Sequence, residues 1–122
     1  MKRLYFAIIL AVLLISIVSL GTYFITSASE NMNKLFDEIE YYAQKEEVEE
    51  ITRLCEKAEN EWVKYEKKLT YFVDHSDISK IGEDIAALTP FAKNFEKAEF
   101  FSQLESVRIK LAHLEKMERI DE

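Results

Sequence analysis

Residues 48–72, VEEITRLCEKAENEWVKYEKKLTYF, decide the fold. Their apolar side chains fall at Val48, Ile51, Cys55, Ala58, Trp62, Tyr65, Leu69 and Phe72, in alternating steps of three and four. An unbroken rhythm of that kind lays one stripe along one long amphipathic helix, and the intervening Glu, Lys, Arg and Asn form its solvated face. The same steps recur on either side. Ile78, Ile81, Ile85, Leu88, Ala92 and Phe95 mark a further helix, as do Phe100, Leu104, Val107, Leu111 and Leu114, while Met32, Phe36, Ile39 and Ala43 mark a shorter one upstream. Two glycines and one proline leave little material for turns, so long helices are expected. The fold class is all-α, with about four helices.

A displacement of 49 residues superposes the halves of this pattern. Met32, Phe36, Ile39, Tyr42, Ala43, Ile51, Cys55, Ala58, Trp62 and Tyr65 fall on Ile81, Ile85, Leu88, Phe91, Ala92, Phe100, Leu104, Val107, Leu111 and Leu114. Seven heptads make 49, so part of the match follows from any heptad pattern. The turns exceed that: Tyr42-Ala43-Gln44 with Glu47 parallels Phe91-Ala92-Lys93 with Glu96. Two antiparallel helical hairpins in tandem are expected, over residues 30–74 and 77–116. Pro90 removes a backbone donor inside the third helix, but the apolar register continues across it, which favours a kink. Thr89 as a new N-cap with Pro90 at the first helical position is the alternative.

Upstream of these hairpins, residues 4–25 read LYFAIILAVLLISIVSLGTYFI, with no charge between Arg3 and Glu30. As a helix this run measures roughly 33 Å, matching a hydrocarbon core of about 30 Å. A transmembrane helix is expected there, continuous with the first helix of the hairpins because no Pro or Gly separates Met32 from the run's end. Tyr5 and Tyr23-Phe24 suit the two membrane interfaces. A cleavable secretory signal is the competing reading, with Thr26-Ser27-Ala28 as its cleavage point, but signal h-regions span only about 7–15 residues. Lys2 and Arg3 keep residues 1–3 cytoplasmic by the positive-inside tendency and put residues 26–122 outside the cell membrane.

Without Lys2 and Arg3 the chain has 14 basic and 23 acidic side chains, a net charge near −9. That argues against nucleic acid as a partner and against adhesion to an anionic membrane surface. Cys55 is the only cysteine, so the external domain has no internal disulfide and must be held by packing, the membrane or a partner. No cysteine near the anchor resembles a lipoprotein acylation site.

Asp74-His75-Ser76-Asp77 has the composition of a catalytic or metal-binding cluster, yet consecutive residues cannot converge as a hydrolytic triad does. A metal site needs three or four ligands, and the other histidine, His113, reaches this stretch only if the last helix runs back toward it. The stretch is expected to be the turn between the second and third helices, with Ser76 or Asp77 as N-cap. Cys55 lies on the seam as a small buried hydrophobe. Glu46, Glu47, Glu49 and Glu50 lack the spacing of a calcium loop and suit a helix start. Trp62 and Tyr65 are expected in the core. No catalytic, cofactor-binding or metal-binding residue is assigned, and no cofactor is implied. Ile109, with Phe101 and Ala112, widens the last helix beyond its seam and offers a surface to a partner.

The anchor, the stretch EWVKYEKKLTYFVDHSDI at 61–78 and the two hairpins together resemble a family of short single-pass bacterial proteins, domain-of-unknown-function family 4363. Trp62, Lys64, Phe72, Asp74 and His75 are the most recognisable part. The resemblance covers essentially the whole chain and implies no active-site residues; it does imply a membrane partner of the YetF type. The expected function is a non-catalytic, membrane-anchored interaction or scaffold module that touches the bilayer through residues 4–25 and associates with another membrane protein or with itself. An extracytoplasmic ligand-sensing bundle is the alternative, weakened because the sequence offers no second apolar run and no output domain.

Overall fold

A computed structural model describes residues 1–120, with side chains as far as residue 116. The end of the expected 26–122 domain, residues 121 and 122, lies outside the described residues. Five helices follow one another among the described residues: α1 (Lys2–Gln44), α2 (Val48–Leu69), α3 (His75–Ala86), α4 (Leu88–Lys93) and α5 (Lys97–Ile120). The fold is all-α, as the periodicity requires. Only Ala87 separates α3 from α4, so the five helices make four rods. Successive rods pack together and α5 closes the ring against α1, whereas α1 and α3, like α2 and α5, stand diagonally with no close approach of their described backbones. This is an up-down four-helix arrangement, the outcome expected when short turns join long amphipathic helices.

α1 is continuous from Lys2 to Gln44, and its two parts differ. Residues 1–20 are all exposed, whereas Gly21, Ile25, Ala28, Ser29, Met32, Leu35, Phe36, Ile39 and Ala43 are buried. Packing therefore reaches further down α1 than residue 26. The first part is long and apolar enough to cross a membrane, a property shared by membrane anchors and signal sequences.

The expected seam supplies most of the core, with Val48, Tyr65, Phe72 and Phe95 only half-buried. Met32, Phe36, Ile39, Ala43, Ile51, Cys55, Ala58, Trp62 and Leu69 are buried, and so are Ile78, Ile81, Ile85, Leu88, Ala92, Phe100, Leu104, Val107, Leu111 and Leu114. Leu35 and Leu54 join them from outside the stripe. Trp62 is fully enclosed: its Nε1 donates to the Ile78 carbonyl at 3.3 Å, and Gly82 leaves it room, since a Cβ there would stand 3.1 Å from Trp62 Cδ1.

The 49-residue displacement reappears in the backbone. Glu46 (φ 58°) and Phe95 (φ 35°) both take left-handed conformations. Glu46 N–H donates to Ala43 O and Glu47 N–H to Tyr42 O; Phe95 N–H donates to Ala92 O and Glu96 N–H to Phe91 O. Each pair is a Schellman closure, which satisfies carbonyls that a helix end leaves free. An ion pair of Lys97 with Glu46, at 3.6 Å, links the two turns.

Near Pro90 the third rod is interrupted without stopping. Ala87 keeps helical angles (φ −69°, ψ −17°), while Pro90 has no N–H for the Ala86 carbonyl. Thr89 is not an N-cap: its buried hydroxyl donates to the Glu59 carboxylate on α2.

Candidate functional site

The stretch from Asp74 to Asp77 is a helix start, and the cap is Asp74 rather than Ser76 or Asp77. Asp74 has extended angles (φ −58°, ψ 126°), and its Oδ1 accepts the Ser76 N–H at 3.0 Å. The reason lies upstream. α2 ends at Leu69 rather than Phe72, so residues 70–73 form the turn and α3 begins at His75. Asp77 falls in the first turn of α3, where a negative charge suits the helix dipole.

His75 is exposed, and its Nε2 lies 3.3 Å from Ser79 Oγ, one turn along the same helix. The cleft that Ser79 lines is walled by Glu59, Glu66 and Glu83, whose charge opposes a developing oxyanion. His113 does not join His75. α5 does run back along α3, and His113 shares a groove with Asp77. Among the described residues no group of three or more His, Cys, Asp or Glu is placed to hold a metal ion.

Cys55 is wholly buried, and burial pushes its thiol pKa up to about 12, with Glu59 and Glu56 adding to the effect. Such a thiol stays protonated and is a poor nucleophile. Glu46, Glu47 and Glu49 are exposed, and Glu50 pairs with Arg53 at 2.8 Å. Tyr65 packs at the margin of the core rather than within it: half-buried, its hydroxyl accepts from Asn31 Nδ2 at 2.7 Å. None of these groups converges on a common point.

The groove between α3 and α5 has a different character. Ile81, Ile109 and Leu114 give it an apolar floor, and Asp77, Lys80, Lys110 and His113 form its rim. It encloses about 320 Å³. Ile109 is 61% exposed, as its position opposite the seam requires, while Phe101 is half-buried against Phe100. Lys110 is held by Asp84, and Arg108 clamps α5 to α1 through Asp37 (2.6 Å) and Glu40 (3.2 Å). The sequence signalled Ile109 by its register, but the opposing Lys80 and Asp77 become visible only once α3 and α5 are paired.

Fold and groove together define an all-α hairpin bundle carried on an exposed apolar helix, with a partly apolar cleft on one flank. The chain belongs to the family described as Domain of unknown function (DUF4363), whose model matches residues 19–121. The match begins two residues before Gly21, the first buried residue of α1. No curated protein and no solved structure matches the chain.

Proposed function

We propose that this chain is a single-pass, membrane-anchored interaction module without catalytic activity, its N-terminus cytoplasmic and its helical body outside the membrane. The observation that carries the reading is the division of α1 into an exposed apolar stem and a packed upper part within one unbroken helix. An exposed run from Leu4 to Leu20 far exceeds the apolar patches that monomeric soluble proteins tolerate, and a bilayer would cover it. Cleavage after Ala28 would strip Ile25 and Ala28 from the core, which favours an anchor over a removed signal.

The α3–α5 groove supports the interaction role, with another membrane protein, such as one of the YetF type, or a second copy as partner. Its apolar floor under a rim of mixed charge also supports a second reading, a ligand-sensing bundle, since small-molecule sites pair a mostly apolar lining with a few polar groups. A photo-crosslinking residue at position 109, used in intact membranes, separates them. A crosslinked protein supports the interaction module, and a groove-bound small molecule supports the sensor. Topology has its own test: protease added to protoplasts should digest the region after Glu30, and protection of that region would overturn the orientation.

A further inference from the structure

The turn between α2 and α3 is level with the upper end of the apolar stem. The Phe72 ring fills the space beside Gly21, where a Cβ would stand 2.9 Å from Phe72 Cδ1, and it stacks on Phe24 with centroids 5.9 Å apart. The unpacked part of the stem, residues 4–20, is about 25 Å long, short of the roughly 30 Å of a hydrocarbon core. In an anchored chain residues 21–25 complete the span, so whatever packs beside Gly21 and Phe24 lies at the membrane boundary.

We propose that the tip Tyr71-Phe72-Val73 is seated in the interfacial layer of the bilayer that holds the stem. The occupant that covers this tip is lipid: Phe72 and Val73 are half-buried against the body, and Tyr71 is the side chain left facing outward. Tyr71 is 84% exposed although aromatic, and Tyr23 on the stem is 66% exposed beside Phe24. Rings with one polar end favour the headgroup level, so the two tyrosines belong to one belt. Lys67 and Lys68 end α2 just above the tip, and Lys68 Nζ stands 5.7 Å from the Phe24 ring centroid. Long cationic side chains at that height extend toward lipid phosphates while their stems cover apolar surface. The inference rests on the membrane-anchor reading and adds a second, peripheral point of attachment to it.

Depth-resolved quenching tests it on the full chain. In a Cys55→Ala background, Tyr71→Cys is labelled with an environment-sensitive fluorophore and reconstituted in phosphatidylcholine–phosphatidylglycerol vesicles carrying nitroxide lipids. Thr70→Cys, which keeps Tyr71, serves as a second reporter. Leu14→Cys reports on the stem and Gln44→Cys on the far end of the body. The expected result is loss of emission at positions 70 and 71 with shallow nitroxides, at position 14 with deep ones, and at position 44 only with aqueous iodide. Iodide quenching at 70 and 71, with position 14 still quenched by deep nitroxides, would overturn the inference and leave the anchor standing. Shielding of 70 and 71 from both quenchers would show a second copy covering the tip and would also overturn it. No lipid quenching at position 14 would overturn the anchor itself.

Discussion

Glu46 and Phe95 occupy equivalent left-handed positions with side chains of unequal use. Glu46 is exposed and its ion pair with Lys97 lies in solvent, where such pairs contribute little. Glu46→Gly should therefore raise stability by about 0.5–1 kcal/mol, because glycine adopts this conformation without the Cβ penalty. Phe95 packs near Phe100, with centroids 6.2 Å apart, so Phe95→Gly should lower stability despite relieving the same backbone. Chemical denaturation of the three proteins checks both signs. At the α3 start, Asp74→Ala should cost about 0.5–2 kcal/mol as a lost N-cap, whereas His75→Ala should change stability by less than about 0.5 kcal/mol. Equal effects would contradict the capping geometry. Trp62→Ala should cost about 3–5 kcal/mol, the range for large aromatic truncations in cores. A loss below about 1 kcal/mol in the same denaturation experiment would contradict its enclosure. The burial of Trp62 was legible from its register alone. The cap at Asp74 was not, because Phe72 continues the apolar rhythm past the true end of α2 and so displaces the apparent junction.

The helices themselves were legible because period and turn scarcity point the same way, and the continuation of the third rod past Pro90 followed from register. What the stripe omitted has a geometric cause: each rod in a ring faces two neighbours, so its buried face is wider than a two-position seam, and Leu35 and Leu54 fill the added width. Phe72 left the α2 seam because Gly21 offers its ring a seat on α1. Gly21→Ala should push that ring away and destabilise the turn, and Phe72→Ala in the same chain should remove the clash, giving a coupling between the two positions in a double-mutant cycle. Additive effects would mean that the two residues do not touch.

The two hairpins depend on each other. Trp62 of the first is bonded to Ile78 and packed on Gly82 of the second, and Arg108 of the second is held by Asp37 and Glu40 of the first. A peptide covering residues 75–116 alone should show little helix and no cooperative melt by circular dichroism, since its apolar stripe would face water. A sharp transition in that peptide would contradict this dependence. Repetition, then, was visible in the sequence, but the groove and the pairing of halves needed the three-dimensional arrangement. The continuity of α1 has a mechanical consequence. In the anchored chain proposed above, a helix of roughly 65 Å with no break would transmit its inclination to the body, since transmembrane helices tilt by about 20° on average. Over the roughly 30 Å that stand above residue 24, such a tilt carries the outer turns sideways by about 10 Å. Local bilayer thickness would thus be converted into lateral displacement, as a gauge converts pressure into the swing of its needle.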